Sequence, residues 1–225
     1  MLARVSAAAG RARLGRRLAT HTATACRPRT RIGLRRAIRR LSARDGHSRS
    51  AARASPNARL DLYEHGMTVA VKGRIHVVRY DTTSVFRHGP VLLGSASPGS
   101  ALIHTLTDTE HKRLLLYGSC GDADARAWEN ALGRAVTRAR VPGALVALHR
   151  GERVSFGEVW LTIEQVGCAA LRVPWERIQQ VGLDGEFLTV TVDGRQHRLG
   201  PAVSRIPNVF VLWALVDYCR SRDAP

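Results

Sequence analysis

The chain spells out one order of periodicities twice, and that order limits what it can fold into. Between Leu60 and Gly118 come short segments rich in β-branched residues: "LDLYE", "MTVAVK", "RIHVVRY", "TTSVF", "ALIHTLTD" and "KRLLLYG". They give way to "DADARAWENALGRAVTRA", where Trp128, Leu132, Ala135, Val136 and Ala139 recur at helical spacing. Strand-like segments then resume as "ERVSF", "VWLTI", "CAALRV", "ERIQQV", "FLTVTV" and "QHRLG". The chain closes on "SRIPNVFVLWALVDYCRSR", whose Ile206, Val209, Phe210, Trp213, Val216 and Tyr218 give a helical apolar face. Turn chemistry punctuates both halves. Lys72-Gly73-Arg74 predicts a tight hairpin, and Asp193-Gly194 is the strongest hairpin signal in the sequence. Asp122 or Asp124 caps the first helix and Pro142 ends it; "GALVALHRG" then makes a short second helix stopped by Gly151.

The halves also align in detail. "VRYDTTSVF" and "VPWERIQQV" match at a constant offset of 95 positions, Val78 with Val173 and Tyr80 with Trp175. An aromatic before a polar turn is expected to cover each core beside the terminal helix, at the end of the third strand. Trp128, Phe210 and Trp213 are the matching structural aromatics of the helices. Six or seven short antiparallel strands followed by one amphipathic helix have few packing solutions. The strands bend into a sandwich or partly open barrel, and the helix plugs an open end. The expected fold class is therefore α+β: two tandem pleckstrin-homology-like (PH-like) β-sandwich or barrel units, each closed by a C-terminal amphipathic helix. The divisions are a disordered Arg-rich tail over 1–55, unit one over 56–141, a short linking helix over 142–150 and unit two over 151–225.

At "LYEHGMTVAVKGRIHVVRYDTTSVF", "LTDTEHKRLLLYG", "ARAWENALGRAVTRARVPGALVALHRGERVSFG", "VWLT" and "VSRIPNVFVLWALV" the chain resembles a bacterial family with tandem PH-like units, found mostly in high-GC bacteria. The resemblance runs from about Asn57 to Arg222. It implies the fold but no activity and no functional residue, since none is established for the family. Its members often carry a hydrophobic segment ahead of this region, where this chain has an Arg-rich one.

Charge is unevenly placed. The net +17 sits mostly in residues 1–55, which hold 15 arginines, no lysine and one acid, Asp45. Lacking aromatics, that segment reads as too polar to offset the entropy of ordering it. It reads as a functionless tail or upstream extension, as a basic arm for anionic lipid or nucleic acid, or as a transit peptide. The run "VFVLWALV" is too short to span a bilayer, which takes roughly 20 apolar residues.

Signatures of chemistry are missing. G-x-S-x-G, G-x-G-x-x-G and phosphate-loop patterns do not occur; "GSASPG" and "GSCG" have the wrong spacing. The histidines are scattered and read as surface or strand-edge residues, with no metal site. Asp108 and Glu110 read as solvated turn formers. Cys26, Cys120, Cys168 and Cys219 contain no C-x-x-C pair and read as small buried residues of a reducing compartment, a disulfide between two of them being left open. No cofactor, enzymatic activity or small-molecule substrate is expected. The one anion- or lipid-binding candidate is the set Lys72, Arg74, Arg79 and Arg87 near the first hairpin. The expectation is a non-enzymatic interaction module, cytoplasmic or peripheral to a membrane. Its partner would be an unknown protein or an anionic membrane surface. The alternatives are a nucleic-acid-associated protein using the N-terminal arm and a hydrolase with an unrecognised site.

Overall fold

The computed structural model describes residues 1–26, 31–42, 57–88, 101–119 and 122–222. The first half holds α1 (Leu2–Arg11), β1 (Arg17–Cys26), α2 (Arg31–Ser42), β2 (Asn57–Tyr63), β3 (Gly66–Val71) and β4 (Arg74–Arg79). It continues through β5 (Phe86–His88), β6 (Ala101–Thr107), β7 (Arg113–Ser119) and the long helix α3 (Ala123–His149). The second half holds β8 (Val154–Phe156), β9 (Val159–Leu161), β10 (Gln165–Gly167) and β11 (Arg172–Pro174). After it come β12 (Ile178–Asp184), β13 (Phe187–Val192), β14 (Arg195–Ala202) and α4 (Val209–Arg222). The fold is α+β with antiparallel sheets, and seven strands followed by a helix occur twice.

β1 to β7 form one sheet in the order β4-β3-β2-β1-β7-β6-β5. It bends, so that the β6–β7 turn reaches the edge strand β4: Thr109 N donates to Val77 O at 2.9 Å. Among the described residues no ladder closes it into a barrel. In the second half, β11-β10-β9-β8 and β12-β13-β14 are separate sheets. Both anticipated hairpins form. Lys72 with Gly73, and Asp193 with Gly194, have positive φ, the backbone a type I′ turn requires.

The N-terminal segment departs from expectation. It does not form a disordered tail over residues 1–26. β1 pairs with β2 on one side and β7 on the other, so it is a central strand. Ala19, His21, Ala23 and Ala25 turn toward the core while Thr20 and Thr22 face out. α1 buries Val5, Ala8 and Ala9, and Leu14 is fully enclosed. Residues 27–30 and 43–56 lie outside the described residues, as do the "GSASPG" segment and Cys120. Cys26, Cys168 and Cys219 form no disulfide.

Because β1 precedes the first half's expected strands and β10 adds one to the second, Tyr80 and Trp175 follow the fourth strand of their halves, not the third. Both are core residues, 0% and 3% exposed, and Trp175 Nε1 donates to Thr162 O at 3.1 Å. The neighbouring Glu176 and Arg177 are exposed, and Arg177 pairs with Asp193 of the facing hairpin at 2.5 Å. Gly167, expected between strands, lies within β10. A Cβ there would meet the Trp160 ring at 2.6 Å.

Pro142 does not end α3, and no separate linking helix exists. α3 runs 27 residues straight through it. The proline forgoes one backbone donation, and Val141, Ala144 and Leu145 hold the segment against the core on either side. Asp122 caps α3, accepting from Asp124 N at 2.9 Å. The buried face of α4 is wider than the expected one, of which Val209 and Val216, with Ile206 just ahead of the helix, are buried. Val211, Leu212, Leu215, Val216 and Cys219 are buried, whereas Phe210, Trp213 and Tyr218 are only half-buried. α4 packs against α3 as well as its own sheets, so its burial reaches round most of its circumference. One apolar core is continuous through both halves, from Leu60 and Trp128 to Val190 and Leu215.

Candidate functional site

The four basic residues expected to act together are not together. Lys72 and Arg74 are exposed at the β3–β4 turn, where Arg4 of α1 donates to Gly73 O at 3.4 Å. Arg79 lies at the far end of β4, tied to Asp81 at 2.8 Å and to Ala12 O at 3.1 Å. Arg87 lies on β5, at the opposite edge of the sheet order.

Arg87 belongs to a different constellation. β5 and β6 place Arg87 directly opposite His104, on the face that α3 covers. Leu102 and Leu106 share that face, so His104 occupies a core position and is fully buried. Glu129, one residue after the buried Trp128 on α3, reaches this pair. Its Oε1 lies 3.2 Å from Arg87 Nε and 3.3 Å from His104 Nε2. The oxygen makes no hydrogen bond of proper angle, so the attraction is electrostatic. Burial alone would raise the Glu129 pKa; the His104 ring and the Arg87 guanidinium outweigh it and hold the carboxyl below its usual range. The His104 ring also stands edge-on to Trp128, with centroids 5.4 Å apart.

A cleft of about 520 Å³ opens beside this cluster, where the two halves meet. Arg87 and Glu129 form one wall. Asn130, Arg134, Thr137 and Arg138 form another, along one face of α3. Gly133 and Phe210 form the floor. Gly133 is buried with the Phe210 ring packed against it: a Cβ there would lie 3.4 Å from Phe210 Cδ1, while Phe210 itself is only half-buried. The charge is three arginines to one glutamate.

The same junction is fastened by Asn208, just ahead of α4. Its N–H donates to Val85 O at 2.7 Å, its Oδ1 accepts from Val85 N at 2.9 Å, and its Nδ2 donates to Thr83 O at 3.3 Å. Arg140 of α3 donates to the same Thr83 carbonyl at 2.7 Å. Asn208 has φ +51°, a conformation asparagine tolerates better than most residues.

Two further polar centres are structural. Asp61 on β2 is fully buried; it accepts from Arg59 Nε at 2.7 Å and from Thr20 Oγ1 at 2.7 Å. Asp108 shapes the β6–β7 turn as expected, accepting from Glu110 N and Lys112 N, but it is buried rather than solvated and meets His76 Nδ1 at 2.9 Å. His104, buried on an inner strand, thus corrects the surface or strand-edge reading of the histidines, and His76, on the edge strand β4, is buried as well. Among the described residues no group of His, Cys, Asp and Glu is placed to hold a metal ion.

Sequence reasoning missed Glu129, His104, Asn130, Arg134 and Arg138. The helix residues carry a signal, a polar stripe at three- and four-residue spacing beside the apolar one, but any solvated helix face has such a stripe. No known protein-family model matches the chain, and no curated protein matches it.

Proposed function

We propose that the chain is a non-enzymatic interaction module of two PH-like units that presents a basic turn to an anionic membrane surface. The observation that carries the reading is the repeated plan of seven antiparallel strands followed by a helix, with the first sheet in the order β4-β3-β2-β1-β7-β6-β5. The sequence resemblance to a tandem PH-like family supports the same plan. Lys72 and Arg74 stand exposed at the tip of the β3–β4 hairpin beside Arg4, which suits a point of electrostatic attachment. His104 is too enclosed to reach a substrate, and a general base must lie within hydrogen-bond reach of the proton it takes. Among the described residues no helix is long and apolar enough to cross a membrane, so attachment would be peripheral through this part of the chain.

A second reading has its own observation. α2 lays Ala37 and Ile38 against Ile103 and Leu115 and leaves Arg35, Arg36 and Arg39 exposed, a short basic face for nucleic acid. Co-sedimentation of the full chain separates the two. Vesicles containing phosphatidylglycerol should bind it and phosphatidylcholine vesicles should not. Replacing Arg4, Lys72 and Arg74 by glutamine should weaken vesicle binding by at least about tenfold. Binding equal to both vesicle types, or indifferent to the triple change, defeats the membrane reading. Duplex-DNA binding lost with Arg35, Arg36 and Arg39 would favour the second.

A further inference from the structure

We infer that the junction cleft is a binding site for a small organic anion with a flat apolar body. Its oxyanion group, a carboxylate or phosphate, would lie across Arg134 and Arg138, and its flat part would rest on Phe210. This inference does not depend on the membrane reading, which concerns the distant β3–β4 turn.

Charge selects the sign of the ligand. Glu129 meets Arg87 within the wall at 3.2 Å. Arg134 and Arg138 form no ion pair with any described residue. They stand exposed one turn apart on the same helix, where like charges repel. An oxyanion between them relieves that repulsion and accepts from two planar guanidinium groups, whose fork geometry suits it.

The floor selects the body of the ligand. A glycine inside a helix is destabilising relative to alanine. At Gly133 that weakness coincides with close packing of the Phe210 ring on the helix. Phe210 is only half-buried, and the part of its ring that lines the cleft is open to a ligand. Asn130 and Thr137 supply donors and acceptors at the rim.

Calorimetric titration of the full chain tests this with phenyl phosphate and its two halves, inorganic phosphate and phenol. Phenyl phosphate should bind saturably and at least about tenfold tighter than either half. Replacing both exposed arginines, R134Q with R138Q, should weaken it by at least about tenfold while leaving the thermal unfolding midpoint in place. No saturable binding of phenyl phosphate up to about 10 mM overturns the proposal. So does an affinity unchanged in the double variant. Inorganic phosphate binding as well as phenyl phosphate would remove Phe210 from the site. Vesicle binding through Lys72 and Arg74 is read separately, so either reading can fail alone.

Discussion

His88 is kept neutral by its surroundings. Burial first, and then the charge of nearby His104, brings its pKa down to about 4, and its Nε2 lies 2.9 Å from Thr105 Oγ1. The unfolded chain takes up this proton near the ordinary value of 6.5, the folded chain only near 4. Its contribution is therefore whole above pH 6.5 and declines as pH falls toward 4. We expect the loss to amount to about 1–2 kcal/mol once partial exposure is allowed for. Urea denaturation at neutral and mildly acidic pH should show it, and His88→Gln should remove that part of the slope. An unchanged slope in the variant would assign the acid sensitivity elsewhere. Single residues were partly legible beforehand. Tyr80 and Trp175 declare themselves as core by sitting at matched places in the repeat. His104 hid in plain alternation: Leu102, His104 and Leu106 share a strand face, yet alternation does not say which face finds the core. Its partner Glu129 lies 25 positions away, and spacing within one element cannot connect them.

At the level of elements, β1 is the strand most at odds with its composition. "ATHTATA" alternates alanine with threonine inside an arginine-rich stretch, so its apolar signal is weak. Its evidence of strand is the β-branched Thr20, Thr22 and Thr24 at every second position. What makes it a strand is tertiary: β2 and β7 flank it, and Asp124 of α3 accepts from Thr22 N at 2.9 Å and sits 2.7 Å from His21 Nδ1. Ala23→Pro should then cost about 3 kcal/mol or more, because a proline disrupts the ladder to β2, where Ala23 stands opposite Ala58. Chemical denaturation would measure it, and a cost under about 1 kcal/mol would mean that β1 is dispensable to the sheet. The strands of both hairpins were readable because turn residues mark their ends. Helix α3 was misread at Pro142 because the rule that proline ends helices weighs local cost alone, whereas Val141, Ala144 and Leu145 are held by packing on both sides.

The order of strands and then a helix, occurring twice, was legible for the molecule as a whole, and the packing of one half on the other was not. Nothing in "SRIPNVF" reveals that Asn208 will bond to Thr83 and Val85, more than a hundred positions earlier. That asparagine should be the main polar fastening between the halves. Asn208→Ala leaves the Val85 N–H without its acceptor in a buried place, at about 1–3 kcal/mol. We expect a lower unfolding midpoint and faster limited proteolysis near the junction. A variant as resistant as the parent would show that the shared core alone keeps the halves docked.

Helix α3 has a consequence for how the protein is made. Its early turns, with Trp128 and Leu132, complete the first sheet, whereas Leu148 near its end belongs to a core also built from β8, β9 and α4. On the ribosome the first sheet and all of α3 emerge well before Asn208 does. For that interval the later turns of the helix have no second half to cover them, and the Thr83 and Val85 carbonyls await their donor from Asn208. The nascent chain thus passes through a stage with a finished first sheet and an apolar helix end in water. That stage ends only when Asn208 and α4 have been synthesised, so a ribosome that stalls before them leaves behind an aggregation-prone half rather than a spare independent unit.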